Sequence, residues 1–133
     1  MNLILFIHED SLEKGWALKQ IIDQNFYGTE LTVIHTFGSF KAKLKKSDGP
    51  AEKEIFILFA ESRSRLNKLT ALIDLLEGKR IILILPDESK ATLSIAVRFF
   101  PRFVTRMNDT YDDLCDVLLK SKRHSNNPIW NWL

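Results

Sequence analysis

Five consecutive large apolar residues, at positions 55–59, constrain the fold of this 133-residue chain more than any other feature. They lie in the segment 54–60, which shows no alternation of polar and apolar residues and is rich in β-branched and aromatic side chains. A turn-forming Ser-Asp-Gly-Pro sequence precedes the segment at 47–50, and polar residues follow it at 61–63. Such a strand is buried on both faces, as in the middle of a parallel sheet that helices cover on either side.

Four further segments are predicted to be strands. Residues 3–7 and 81–85 repeat the fully apolar pattern, the second within a strand over 80–85, whereas 31–36 and 103–107 are more polar and indicate edge strands. Between the strands, apolar residues recur at helical spacing over about 11–26, 37–44, 66–76, 91–99 and 111–118. Five strands alternating with five helices predict a doubly wound α/β sandwich with a parallel sheet, and the polar edge strands favour the order 2-1-3-4-5.

Composition excludes several classes of partner. The chain is 45% hydrophobic and 27% charged, as in ordinary soluble proteins, and its net charge of +2 is too weak to indicate a nucleic-acid or membrane binder. Four lysines between positions 41 and 46 fit a solvated helix face better than a phosphate site, because no aromatic or arginine platform lies among them. We therefore expect neither nucleic acid nor membrane as a partner.

The cysteine count and the first strand bear on the compartment. Cys115 is the single cysteine, which excludes an internal disulfide, and its place in an amphipathic helical pattern predicts a small core residue. Residues 3–7 are too short for a signal peptide or a membrane span and end in His8-Glu9-Asp10. These features predict a cytoplasmic protein.

Ligands of such sheets bind beyond the carboxyl ends of the strands. The first of the predicted loops there has no glycine before Gly15, so it lacks the phosphate-binding patterns that need a close backbone approach. The histidines have no metal-ligand spacing, and no G-x-S-x-G nucleophile elbow is present. The residues to inspect at this edge are His8, Glu9, Asp10, Glu61, Ser62, Pro86, Asp87, Glu88 and Arg106.

The order of elements, the chain length and the segment 96–108 resemble a response-regulator receiver domain, which has a flavodoxin-like three-layer fold. In that family two acids follow the first strand and hold Mg²⁺, an Asp ending the third strand is phosphorylated, a Ser or Thr ends the fourth strand, and Lys-Pro ends the fifth. Here Glu9 and Asp10, preceded by His8, match the acid pair. The phosphoacceptor position falls on Phe59 or Ala60, neither of which can accept a phosphoryl group.

The other receiver positions are also changed. Glu61 lies one or two places beyond the acceptor position, and the hydroxyl position falls on Leu85 or Pro86. Residues 103–107 resemble the Tyr-Leu-x-Lys-Pro segment of the family, with Arg106 in place of Lys and Met107 in place of Pro. The resemblance therefore implies a degenerate receiver, or pseudo-receiver, over residues 1–122, followed by an aromatic tail at 123–133.

Two functions remain open from the sequence. The first is a non-enzymatic, non-phosphorylatable signalling module that binds another protein or a second copy of itself. The resemblance places its docking surface on the fourth helix, fifth strand and fifth helix, where Phe100 and Tyr111 are the candidates while Phe99 and Phe103 are assigned to the core. The second is a small metal- or anion-binding domain, or an atypical phosphoacceptor, built on three carboxylates. These are Glu9, Asp10 and Glu61, which could hold Mg²⁺ while Arg106 balances an anion.

The last residues form an unusual tail. Trp130, Trp132 and Leu133 follow Pro128 and Ile129, so two of the three tryptophans lie within four residues of the end of the sequence. Burying one aromatic side chain contributes on the order of 2 kcal/mol of stability, and a tail that stays exposed to water does not gain this free energy. We expect the tail either to fold back on its own domain or to dock on another chain.

Overall fold

A five-stranded parallel sheet is the frame of the protein, in a computed structural model that describes residues 2–26, 29–46, 54–107 and 109–124, with the backbone alone for 122–124. The strands are β1 (Asn2–Ile7), β2 (Glu30–Ile34), β3 (Glu54–Phe59), β4 (Arg80–Leu85) and β5 (Phe103–Arg106). They lie in the order β2-β1-β3-β4-β5, and every neighbouring pair is parallel. The predicted flavodoxin-like α/β fold and strand order are confirmed.

How deeply each strand is buried depends on how apolar its sequence is. The five apolar residues of β3 are fully buried, as are the corresponding runs of β1 and β4, because helices cover both faces of the sheet there. The edge strands β2 and β5 alternate between exposed and partly buried positions over most of their length. Polar side chains in 31–34 and 103–106 thus occur where one side of the sheet meets water.

Helices follow each strand. They are α1 (Leu12–Asn25), α2 (Phe37–Lys46), α3 (Arg63–Leu69), α4 (Ile73–Leu76), α5 (Lys90–Ala96) and α6 (Asp112–His124), with 3-10 turns at Glu9–Ser11, Thr70–Leu72 and Val97–Phe99. The single helix predicted over 66–76 is therefore divided into α3 and α4. At the division the Thr70 hydroxyl donates to the Asn67 carbonyl, a local bond that competes with regular helical bonding. Gly78, with φ +78°, follows α4, where glycine is favoured because it adopts a left-handed conformation without strain.

Two apolar cores lie on opposite faces of the sheet. On one face α2 to α5 pack over the sheet, and the rings of Phe6 and Phe40 stack with centroids 5.0 Å apart. On the other face Leu18 of α1 and Leu114 of α6 pack over β1, β3 and β4. In the described part of the chain no helix is long and apolar enough to span a membrane.

Tyr111 belongs to the second core, which corrects its assignment to the docking surface. Its side chain is only 3% exposed, and its φ of 63° turns the chain from the β5 loop into α6. This left-handed conformation directs the ring inwards at the start of the helix. Phe99 is buried and Phe103 packs partly against the core, as predicted, whereas Phe100 is 85% exposed.

Candidate functional site

The candidate site at the carboxyl edge of the sheet is organised by Arg65, a residue of α3. Its Nε lies 3.0 Å from Oε1 of Glu61, and its terminal nitrogen Nη2 lies 3.6 Å from Oδ2 of Asp10. The side chains of Arg65 and Glu61 are each 12% exposed, whereas that of Asp10 is 74% exposed. The guanidinium thus joins the loop after β1 to the loop after β3. We call Asp10, Glu61 and Arg65 the strand-end cluster.

His8 fixes the position of Asp10 in this cluster. Its Nδ1 accepts a hydrogen bond of 3.1 Å from the Asp10 backbone N–H and lies 3.4 Å from the Asp10 carboxylate. His8 is therefore the residue that caps the 3-10 turn, while Asp10 lies inside it. Asp10 does not cap α1, because the chain forms a 3-10 turn before that helix and the His8 imidazole accepts from the free N–H group of the turn.

Glu9 lies outside the strand-end cluster. Its backbone N–H donates to the His35 carbonyl at 2.8 Å, and its side chain is exposed. The fold therefore brings together only Asp10 and Glu61 of the three predicted carboxylates, and Arg65 lies between them. Among the described residues, no group of three His, Cys, Asp or Glu side chains is placed to hold a metal ion.

One oxygen of Glu61 is left unsatisfied in this arrangement. Oε1 accepts from Arg65, whereas Oε2 is buried and has no hydrogen-bond partner among the described residues. A carboxylate in this position depends on its single guanidinium partner, because burial without pairing is costly for a charge.

The position that the sequence resemblance matches to the receiver phosphoacceptor is apolar and closed. Phe59 and Ala60 are both 0% exposed, and the Ala60 N–H donates to the Ile84 carbonyl at 2.9 Å. Neither side chain has an oxygen. Pro86, at the end of β4, has no hydroxyl either, so the strand ends present no nucleophile at these positions.

A second polar group connects the end of β4 to α3 and α5. Ser89 caps α5, its backbone N–H donates to Asp87 at 2.9 Å, and its hydroxyl oxygen lies 3.1 Å from that of the buried Thr92. Arg63 reaches the Thr92 hydroxyl at 3.4 Å. Hydrogen bonds from the Ser89 and Thr92 side chains, and then from the Ser89 backbone, lower the pKa of Asp87 to about 2. This group stabilises the loop and the start of the helix.

Arg106, which the sequence resemblance matches to the receiver lysine, does not enter the cluster. Its Nε lies 3.3 Å from Oε1 of Glu88, and the two side chains are 53% and 65% exposed. An ion pair this exposed contributes little to stability, about 0–1 kcal/mol. Arg106 therefore projects along the outer edge of β5 rather than towards Asp10 and Glu61.

Exposed apolar side chains lie on α5, on the 3-10 turn and the residue that follow it, and on the same side of β5. Leu93, Val97, Phe100 and Val104 are 39%, 63%, 85% and 36% exposed. Val104 pairs with Leu83, whose side chain belongs to the core beneath α5, so Val104 points to the α5 side of the sheet. We call these four residues the α5–β5 patch.

Trp130, Trp132 and Leu133, the other predicted interaction residues, lie outside the described residues.

Comparison of the chain with protein-family models, curated proteins and solved structures found no match. The resemblance to receivers therefore depends on the order of elements and on the sequence positions described above.

Proposed function

We propose that this chain is a pseudo-receiver module of the cytoplasm, neither phosphorylated nor an enzyme, that acts in signalling by binding another protein through the face of α5, β5 and α6. The observation that carries the proposal is the α5–β5 patch. Two exposed arginines lie next to its members in the sequence, Arg98 after Val97 and Arg106 two residues after Val104, as in protein interfaces with an apolar centre and a polar rim.

The magnitude of the exposed apolar area supports docking over a plain solvated surface. Fully burying a Val, Leu or Phe side chain is worth about 1.5–3 kcal/mol, so covering several of these residues supplies useful binding energy. The patch also borders β5, an edge strand of only four residues. A partner there would cover a sheet edge that no other described strand pairs with, as well as the side chains.

The closed acceptor position supports a function without phosphotransfer. Phosphotransfer to a carboxylate needs an exposed oxygen nucleophile beside a metal ion. Phe59 and Ala60 supply no oxygen, and the cation nearest the acids is the guanidinium of Arg65. The same pairing disfavours the alternative metal- or anion-binding function, because the charge of Glu61 is already matched by a protein cation.

Site-specific photo-crosslinking tests the proposed docking surface. A photoreactive amino acid at Val97 should capture one protein in the host cells, whereas the same amino acid at Ala42, exposed on α2, should not. Val104→Glu in the Val97 derivative should abolish capture, because it places a charge in the apolar patch. Mass spectrometry identifies the captured protein.

The outcomes separate the two kinds of partner. Capture of a second copy, with a sedimentation mass that halves in Val104→Glu, identifies a homodimer. The same proteins captured at positions 97 and 42, or a monomer that captures nothing at Val97, would contradict docking through this face.

A further inference from the structure

The edge of the sheet at β2 is open to a further strand. Among the described strands β2 pairs with β1 alone, so no strand of the described chain bonds to its outer side. The carbonyl of His35, the residue after β2, points towards β1 and accepts from the Glu9 N–H at 2.8 Å. Because the backbone groups of a strand alternate in direction, those of Thr32 and Ile34 point to the outer side. An extended peptide binds by pairing with such groups.

On the α1 face of this edge lies an apolar pocket. It measures about 160 Å³, and its walls include Leu12, Trp16 and Lys19 of α1 together with His35, so this flank of α1 lies beside β2. Leu12 and Trp16, four residues apart on the helix, are 45% and 56% exposed. The Lys19 ammonium lies 5.5 Å from the centre of the Trp16 ring and 3.1 Å from the Asp23 carboxylate. Sites for cofactors usually measure about 300–1,000 Å³, so this pocket suits a single apolar side chain.

On the opposite face of the sheet the flank of α2 beside β2 is basic. Helix α2 packs over β1 through Phe40, and the Lys43 ammonium lies 3.0 Å from Glu54 at the start of β3. The flank of Lys43 is thus directed towards β3. At about 100° of rotation per residue, Lys41 and Lys45 lie on the other flank, on the side of β2. Both are exposed, and neither forms an ion pair with a described carboxylate.

We infer that the β2 edge binds an extended peptide of another protein in which apolar and acidic side chains alternate. Successive side chains of a strand point to opposite faces of the sheet. The apolar side chains of the peptide lie on the α1 face, where one enters the pocket beside Trp16. Its carboxylates lie on the α2 face, beside Lys41 and Lys45. Main-chain bonds to β2 supply affinity, and the two flanks supply specificity.

The charges of β2 itself leave this preference in place. Ile34 belongs to the core under α2, so Glu30 and Thr32 lie on that same face of the strand. Glu30 is the acid of β2 there, and the two lysines of α2 outnumber it. The β2 segment of a second copy carries this one carboxylate, which makes it a poorer occupant than an acidic peptide.

The β2 edge is separate from the docking surface proposed above. β2 and β5 form opposite edges of the sheet, with three strands between them. Peptide binding at β2 therefore does not require the α5–β5 patch, and one chain has room for a partner at each edge. Val104→Glu, which disrupts the patch, should leave peptide binding unchanged.

Calorimetric titration of the full chain with a synthetic peptide tests the inference. The probe is Glu-Val-Glu-Phe-Glu-Val-Glu with blocked ends, whose apolar and acidic side chains alternate. The control peptide, Glu-Glu-Val-Phe-Val-Glu-Glu, has the same composition and charge without the alternation. We expect the probe to bind saturably with a Kd below about 1 mM, and the control to bind about tenfold more weakly or not at all.

Hydrogen exchange followed by NMR locates the bound peptide. The amides of Thr32 and Ile34 should exchange about tenfold more slowly in the complex, because they donate to the added strand. The amide of Val33, which is directed at β1, should keep its rate. Unchanged exchange at Thr32 and Ile34 in the presence of bound probe would overturn the inference.

Two variants test the two flanks. The pair Lys41→Glu and Lys45→Glu should weaken probe binding about tenfold, whereas the matched pair Lys68→Glu and Lys90→Glu, exposed on α3 and α5, should not. Trp16→Ala should also weaken binding about tenfold, because it removes a wall of the pocket. Circular dichroism confirms that each variant is folded, and the lysine pairs remain informative if Trp16→Ala unfolds.

Several results would contradict the inference. No saturable binding of the probe up to about 1 mM would exclude a peptide site of this kind. Equal affinities of the alternating and rearranged peptides, or equal effects of the two lysine pairs, would mean that attraction is not specific to β2. Loss of binding in Val104→Glu would place the peptide at β5. Slow exchange at Thr32 and Ile34 that develops with protein concentration alone would show that a second copy occupies the edge.

Discussion

The Nε atom of Arg65 lies 3.0 Å from Oε1 of Glu61, and both side chains are nearly buried. The more distant contact of Arg65, 3.6 Å to Asp10, involves a carboxylate that is mostly exposed to water. Since water screens the second contact far more than the first, Arg65 serves chiefly as the partner of Glu61. A protein cation therefore holds together the loops that begin at the ends of β1 and β3.

Removing Arg65 should destabilise the protein through Glu61. We expect Arg65→Met to lower the free energy of unfolding by about 1–3 kcal/mol, because it leaves a nearly buried carboxylate without its hydrogen-bond donor. The double variant Arg65→Met with Glu61→Met should lose less free energy of unfolding than the two single variants lose together. Urea unfolding measures each variant, and Arg106→Met, which breaks the exposed pair with Glu88, is the control with an effect below about 1 kcal/mol. Additive effects of Arg65 and Glu61 would contradict this account.

A small-molecule phosphodonor with Mg²⁺ should leave the chain unmodified. The acceptor position holds Phe59 and Ala60, and the nearest carboxylate, Glu61, already accepts from Arg65. Intact-mass measurement after incubation should therefore show no acid-labile adduct. A stoichiometric phosphoryl group on Asp10 or Glu61 would refute the pseudo-receiver proposal.

Mg²⁺ at micromolar concentration should not raise the melting temperature. A ligand that binds only the folded state stabilises it by mass action, so a thermal melt reports directly on binding. Glu9 is outside the cluster, and Arg65 contacts the other two candidate carboxylates, Asp10 and Glu61. A melting temperature that rises with micromolar Mg²⁺, and no longer does so in Asp10→Ala, would instead favour the metal-binding function.

Asp87 should contribute stability that depends on pH. Hydrogen bonds from Ser89 and Thr92 lower its pKa to about 2, so the folded protein holds this proton less tightly than the unfolded chain does. The contribution is complete above the ordinary pKa near 3.8 and is lost as the pH falls towards 2. Asp87→Asn should therefore lower the melting temperature at pH 7, with the difference closing near pH 2. Asp23→Asn, on the exposed side of α1, is the charge-matched control. If the melting temperature of Asp87→Asn differed from that of the unmodified protein by the same amount at every pH, the prediction would be contradicted.

Two glycine substitutions should have opposite effects. A Cβ atom at Gly15 would lie 2.7 Å from Cδ1 and Cγ2 of Ile7, a side chain only 2% exposed. Gly15→Ala should lower the free energy of unfolding by about 1–3 kcal/mol through overpacking between α1 and β1. At Gly38 in α2 no described atom outside the helix's own backbone and the neighbouring residues lies within 4 Å of the added Cβ, so Gly38→Ala should raise the free energy of unfolding by about 0.5–1 kcal/mol. Denaturant melts test both, and equal effects would contradict the packing at Gly15.

The sheet could be predicted from the sequence because the apolar content of each strand segment indicates how deeply that strand is buried. The unbroken apolar run of β3 requires cover on both faces, and the mixed sequences of β2 and β5 are tolerated only at edges. The division between α3 and α4 was missed because one side-chain bond at Thr70 overrides a continuous helical pattern. Tyr111 was misassigned because its exposure depends on the backbone turn before α6.

The strand-end cluster was only partly predictable. Asp10 and Glu61 follow predicted strands and could be placed at the same edge, but their pairing through Arg65 depends on how α3 is directed after β3. One signal was available, since Glu61 and Arg65 are four residues apart, the spacing of side-chain pairs on a helix. The capping role of His8 was not predictable from residue preferences, which favour Ser, Thr, Asp and Asn.

The position of β1 between β2 and β3 has a consequence for synthesis on the ribosome. Residue 7 ends β1, and its partner β3 ends at residue 59, so 52 more residues must be made before both sides of β1 can be paired. At roughly 5–20 residues per second, translation takes about 3–10 s over this interval. A nascent chain that stalls there carries an apolar strand with at least one edge unpaired, the kind of segment that joins other strands and aggregates. The pace of translation between these two strands therefore bears on the yield of folded protein.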